Sequence, residues 1–158
     1  MRKVLAAMAV FAVGCGGGAD QTPADTAPAV TAQPAAEAPM AGNGTVHEVE
    51  MELTADGQYV YEPASLTIKV GDTVRWLNVS GFPHNVAFYA DQIPEGAETF
   101  LTAVYAADAG KIGPMSGRLM VQAGDVYEIT FVGAPTGSYG YFCTPHEALG
   151  MKATLTVE

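Results

Sequence analysis

Between Thr45 and Glu158 the large apolar residues come in short runs with a period of two, and each run is cut by Gly, Pro or Asp. That pattern restricts the segment to an antiparallel β-sandwich or barrel. His47, Val49, Met51 and Leu53 alternate with Glu48, Glu50 and Glu52, the pattern of a half-buried strand. Turns are expected at Asp56-Gly57 and Gly71-Asp72. Further strands are expected at 59–61, 65–70, 73–79, 85–89, 119–122, 126–132, 139–143 and 153–157. One stretch breaks the period. Phe100, Leu101, Val104 and Tyr105 recur at helical spacing, which predicts a short helix over 98–109, ended by Gly110.

Upstream of Thr45 the composition cannot support a core. Arg2 and Lys3 precede an apolar run from Val4 to Val13, too short to span a bilayer and shaped like the h-region of a signal peptide. Gly14-Cys15 follows directly and resembles a bacterial lipoprotein cleavage site, although Ala12 stands where such sites usually carry Leu. The expectation is a signal peptide over 1–14 and lipidation of Cys15; the alternative is an ordinary signal peptide with a cysteine nearby. Residues 16–44 are Gly, Ala, Pro, Thr and Gln with almost no large apolar side chain, too little to offset ordering entropy. With Cys15 they make a disordered tether over 15–44, reaching roughly 30 Å as a coil and about 90 Å as polyproline II. A single domain then occupies 45–158. The expected location is the cell envelope, exported and held to a membrane by the lipid alone.

With Arg2 and Lys3 set aside, 5 basic residues stand against 17 acidic ones, a net of −12. This argues against nucleic acid as a partner and suits a basic or neutral docking surface; general acidity for solubility, or for a salty habitat, is the alternative. The chain has 2 cysteines. If Cys15 carries lipid, Cys143 has no disulfide partner, and a lone thiol in an oxidising compartment is a liability unless something uses it.

The use is written nearby. Tyr141-Phe142-Cys143-Thr144-Pro145-His146-Glu147-Ala148-Leu149-Gly150-Met151 puts a Cys, a His three positions on and a Met eight positions on into one short loop. A second His lies in Pro83-His84-Asn85, at the start of an earlier strand. A thiolate and two imidazoles with a weak axial thioether are the donor set of electron-transfer copper. Sulfur favours Cu(I) and imidazole suits both oxidation states, so little need move when an electron does. His47 lies far upstream in an alternating strand and is expected to have no metal role; Trp76 reads as core. Asn85 is a candidate for fixing the ligand loops and polarising the Cys143 sulfur by hydrogen bonds.

These motifs resemble the plastocyanin and pseudoazurin branch of the cupredoxins, the blue-copper proteins. The Cys-x2-His-x4-Met loop is similar to that branch's ligand loop, and Pro83-His84-Asn85 to its upstream ligand. The segment Ser65-Leu-Thr-Ile-Lys-Val-Gly-Asp-Thr-Val-Arg-Trp-Leu-Asn78 resembles the strand-turn-strand leading to it. The resemblance implies an all-β, eight-stranded Greek-key sandwich with one type 1 copper near one end, bound by His84, Cys143, His146 and Met151. It implies outer-sphere electron transfer by a monomer, with His146 as the exit and Phe82, Pro83, Pro145 and Leu149 as an apolar docking patch. The partners it implies are redox proteins, such as a quinol-oxidising complex and a terminal oxidase or photosynthetic reaction centre. Two departures stand out: the region 91–117 is longer than in a typical plastocyanin, and Phe142 occupies a position where the family often has Tyr. A multicopper enzyme is disfavoured, because 3 histidines cannot build a further copper cluster. Copper storage or delivery is the remaining rival, with Met115 and Met120 as scattered candidate ligands.

Overall fold

The computed structural model describes residues 44–158. The expected signal segment, Cys15 and all of the tether except Gly44 lie outside the described residues. Eight strands, β1 (Val46–Leu53), β2 (Tyr59–Glu62), β3 (Ser65–Ile68), β4 (Thr73–Asn78), β5 (Ala87–Phe88), β6 (Val126–Thr130), β7 (Gly137–Phe142) and β8 (Lys152–Val157), are joined by one helix, α1 (Ala97–Ala106), and a 3-10 turn (Thr144–Leu149). The strands form two four-stranded sheets, ordered β2-β1-β4-β6 and β3-β8-β7-β5.

The period of two decides which side chains meet between the sheets. Val49 and Met51 of β1, Val74 and Trp76 of β4, Tyr127 and Ile129 of β6, Tyr139 and Tyr141 of β7, and Leu155 and Val157 of β8 all enter one buried cluster. The alternate positions face out: Arg75 pairs with Glu128 across the β4–β6 ladder, Nε to Oε1 at 2.8 Å. Trp76 is wholly buried with no hydrogen-bond partner for its indole N–H, and it stands edge-on to the Tyr141 ring at 5.8 Å.

The observed fold corrects several sequence expectations. The sheets are not wholly antiparallel: β1 runs parallel to β4, and β3 parallel to β8. Alternating hydrophobicity reports which face is buried but carries no information about strand direction. Residues 119–122 form no strand. Met120 alone makes a bridge, to His84, while the Asp125 carboxylate takes the N–H groups of Val121 and Gln122, both at 2.9 Å, and turns the chain instead. The strand expected over 85–89 shrinks to Ala87–Phe88, because Asn85 is committed to side-chain contacts described below. The helix starts and ends earlier than its spacing suggests. Beyond Ala106 the Asp108 carboxylate accepts from the N–H of Gly110 at 2.9 Å and of Arg118 at 2.8 Å, drawing the chain away from the helix axis. Within α1, Leu101 and Tyr105 face the core, and the Tyr105 hydroxyl donates to the Val86 carbonyl at 3.0 Å, fixing the backbone two residues past His84.

The two ends of the sandwich differ. At one end Asp72, which precedes β4, accepts from the N–H groups of Thr45 at 2.8 Å and Lys69 at 3.0 Å and pairs with His47 Nε2 at 2.9 Å. The Lys69 N–H first, and the His47 contact next, hold the Asp72 carboxyl down at about 2, from an ordinary 3.8. A depressed carboxylate contributes stability above its unfolded value that is lost as pH falls through its folded value. Asp72→Asn should therefore lower the urea midpoint at neutral pH, with a deficit that fades as pH drops from about 4 to about 2. A deficit unchanged across that window would mean that the carboxylate charge contributes nothing.

Candidate metal centre

At the opposite end, three loops meet. The loop after β4 leads to His84, whose backbone exchanges two hydrogen bonds with Met120, N–H to O at 2.9 Å and O from N–H at 2.8 Å. Cys143 follows the last residue of β7, and its N–H donates to the Met151 carbonyl at 3.1 Å. Pro145, at the start of the 3-10 turn, suits a segment whose first N–H groups have no internal acceptor. The turn carries His146, whose N–H donates to the Cys143 carbonyl at 3.0 Å. Gly150, at φ +91°, reverses the chain in a conformation costly for any residue with a Cβ. The Met151 N–H then returns to the His146 carbonyl at 3.2 Å, and β8 begins.

The result brings His84, Cys143 and His146 together, with their candidate ligand atoms within 4.8 Å of one another. His84 Nδ1 lies 3.6 Å and His146 Nδ1 3.4 Å from the Cys143 Sγ. His84, Cys143 and Met151 are 0% exposed and His146 is 8% exposed, so His146 is the member of the set nearest the surface. Both imidazoles present the same ring nitrogen to one sulfur, which suits donors sharing an ion. The set is one thiol and two imidazoles, with a thioether, Met151, buried in the same core cluster as the thiol; with the thiol deprotonated this is the donor chemistry of type 1 copper. His47 is not part of it, being engaged by Asp72 at the other end. Met120 is buried in the core and does not offer an exposed sulfur.

Asn85 ties the loops together. Its Nδ2 donates to Thr144 Oγ1 at 3.2 Å, Ser116 Oγ at 3.0 Å and the Gly117 carbonyl at 3.3 Å, while its Oδ1 accepts from the Thr144 N–H at 2.8 Å. Its carbonyl accepts from the Tyr61 hydroxyl at 2.7 Å. The Asn85 side chain is spent on these braces and makes no hydrogen bond to the Cys143 sulfur. Neither Ser116 nor Tyr59 stands out in the linear pattern; the Tyr59 ring stacks on His146 with centroids 3.7 Å apart and planes 5° apart. Tyr59 is a β2 residue, and nothing in a linear pattern pairs it with a loop 87 positions later.

Burial is the leading electrostatic influence. It holds the Cys143 thiol above its ordinary value, against the opposing N–H groups of Asn85 and His146. Burial also lowers His84 to about 4, helped by the neighbouring His146, and lowers His146. Both rings are therefore neutral near pH 7, with lone pairs available to a metal, while the thiol keeps its proton until a metal displaces it.

The model of the copper binding proteins, plastocyanin/azurin family, matches residues 47–158. Similar proteins include the plastocyanin of Scenedesmus fuscus, 43% identical over 113 residues, covering 70% of this chain and 100% of the relative. Another is the chloroplastic plastocyanin of Tetradesmus obliquus, 39% identical over 116 residues, covering 72% of this chain and 70% of the relative. Among solved structures, oxidised plastocyanin from Dryopteris crassirhizoma superposes with a TM-score of 0.53 at 27% identity, covering 71% of this chain and 100% of that one.

The protonation states lead to a measurable stoichiometry. Copper(II) uptake by the metal-free protein near pH 7 should release about one proton per ion, from Cys143. In weakly buffered solution a pH-stat reads this directly, and Cys143→Ala should release none. Uptake by the wild-type chain with no proton released would show that the thiol is not a ligand.

Proposed function

We infer a one-electron carrier from a plain premise: the chain belongs to the plastocyanin/azurin family of copper-binding proteins. His84, Cys143 and His146 with Met151 would hold one type 1 copper, which when bound supplies a couple between Cu(I) and Cu(II). The observation that carries this reading is the convergence of both Nδ1 atoms on one buried sulfur. Burial of the ligands keeps water and exchanging ligands away, as a carrier needs and a copper-delivery protein does not. No histidine is left over for a further copper cluster, since His47 is paired with Asp72.

The role of each residue follows from its place. Cys143 supplies the strongly coupled sulfur. His146 is the exit, lying between exposed Pro145 and exposed Leu149, the latter 64% accessible. Phe82, 45% accessible, packs edge-on to Tyr59, which in turn stacks on His146, and Phe82 thereby extends the apolar rim. Such a rim supports brief docking, in keeping with turnover between a donor and an acceptor. The partners proposed are a quinol-oxidising complex and a terminal acceptor, an oxidase or a photosynthetic reaction centre. A signal peptide over 1–14 and a lipid on Cys15 would hold the domain at a membrane in the cell envelope, so that it searches the membrane plane for them. The apolar run ending in Gly14-Cys15 supports this.

Three measurements test the proposal. Cys143→Ser should remove the intense thiolate-to-copper absorption band and leave a folded sandwich; a surviving band rules out the assignment. Met151→Gln should retain copper and lower the reduction potential in voltammetry, and an unchanged potential would remove Met151 from the axial position. Cys15→Ser should move the protein from the membrane fraction to the soluble fraction of the envelope, whereas unaltered membrane association would exclude the lipid anchor.

A further inference from the structure

His84 has two ring nitrogens, and only one faces the sulfur. The other, Nε2, lies 3.0 Å from the Ser80 hydroxyl oxygen. We propose that Ser80 is a positioning residue for the metal ligand His84: its hydroxyl accepts the Nε2–H and holds the ring in the tautomer whose Nδ1 is bare. This rests on the copper reading above.

The contact allows two polarities, and the site's geometry selects between them. Were the hydroxyl to donate to Nε2, the ring proton would sit on Nδ1, pointing toward the Cys143 Sγ at 3.6 Å and blocking that nitrogen as a ligand. With Nε2–H donating, Nδ1 is free. His84 is wholly buried, so a ring proton left without an acceptor there would carry a desolvation penalty.

Ser80 is itself held in place. Asn78, buried at the end of β4, accepts from the Gly81 N–H at 2.9 Å and donates to the carbonyls of Phe82 at 2.8 Å and Met120 at 3.1 Å. Gly81, at φ +73°, permits the tight return beneath it. One asparagine thus staples both the loop that presents Ser80 and the Met120 backbone that pairs with His84. The ring is fixed at its backbone by Met120 and at its far nitrogen by Ser80. Donation from Nε2–H also makes the imidazole more basic, which favours the more highly charged copper(II).

The test uses the full-length, copper-loaded protein. Ser80→Ala should weaken copper(II) affinity, read by chelator competition, by about 10–100-fold. It should also raise the reduction potential, and Ser80→Thr, which keeps the hydroxyl, should restore both. In the copper(I) protein, NMR should find the His84 Nε2–H slow to exchange with solvent. An alanine variant with wild-type affinity and potential overturns the proposal. So does a wild-type Nε2–H in free exchange, a result that stands even if the alanine variant does not fold. A wild-type chain that takes up no copper overturns the electron-carrier reading instead.

Discussion

Everything at the metal end depends on a thiol and two imidazoles converging in a largely buried site. Each donor arrives on a segment fixed from a different direction. His84 follows β4 of one sheet, while Cys143 and Met151 flank the β7–β8 connection of the other. Cys143 and Met151 also belong to the hydrophobic cluster that fills the sandwich. Closely packed interiors resist small displacements, so the donors inherit the stiffness of the core. A donor set that cannot relax offers either oxidation state nearly the same surroundings, and fast electron exchange requires that.

The polar groups around the site do a second job. The Asn85 side chain lies outside the donor set, yet it links the loop bearing His84 to the loop bearing Cys143 and to the segment around Ser116. The stretch 91–117 supplies both a core-facing helix and, in Ser116, a hydroxyl that braces the ligand loops. The stack of Tyr59 on His146 covers one face of the more accessible imidazole.

Local chemistry was readable from the residues, and distant pairing was not. The Cys143–His146–Met151 loop announces itself because its donors lie within nine residues of one another, and the strands announce themselves by their period of two. Parallel pairing of β1 with β4 leaves no linear trace, since the same alternation serves either direction. The 119–122 segment carries a strand-like pattern, but a single carboxylate, Asp125, captures the N–H groups that a neighbouring strand would need. Tyr59 and Ser80 gain their roles only from what the fold sets against them. A tyrosine in a strand and a serine in a turn are otherwise unremarkable.

The entry point of the chain has a practical corollary. Gly44 packs so closely on Asp72 that an added Cβ would fall 2.5 Å from its carboxylate oxygen. Asp72 stands before β4, whose six residues separate it by about 20 Å from the loop that leads to His84. Whatever is grafted upstream of Gly44, whether a fusion partner or a linker to an electrode, is thus attached at the blunt end of the molecule. A domain immobilised there keeps the His84, Cys143 and His146 end turned outward, toward whatever diffuses past.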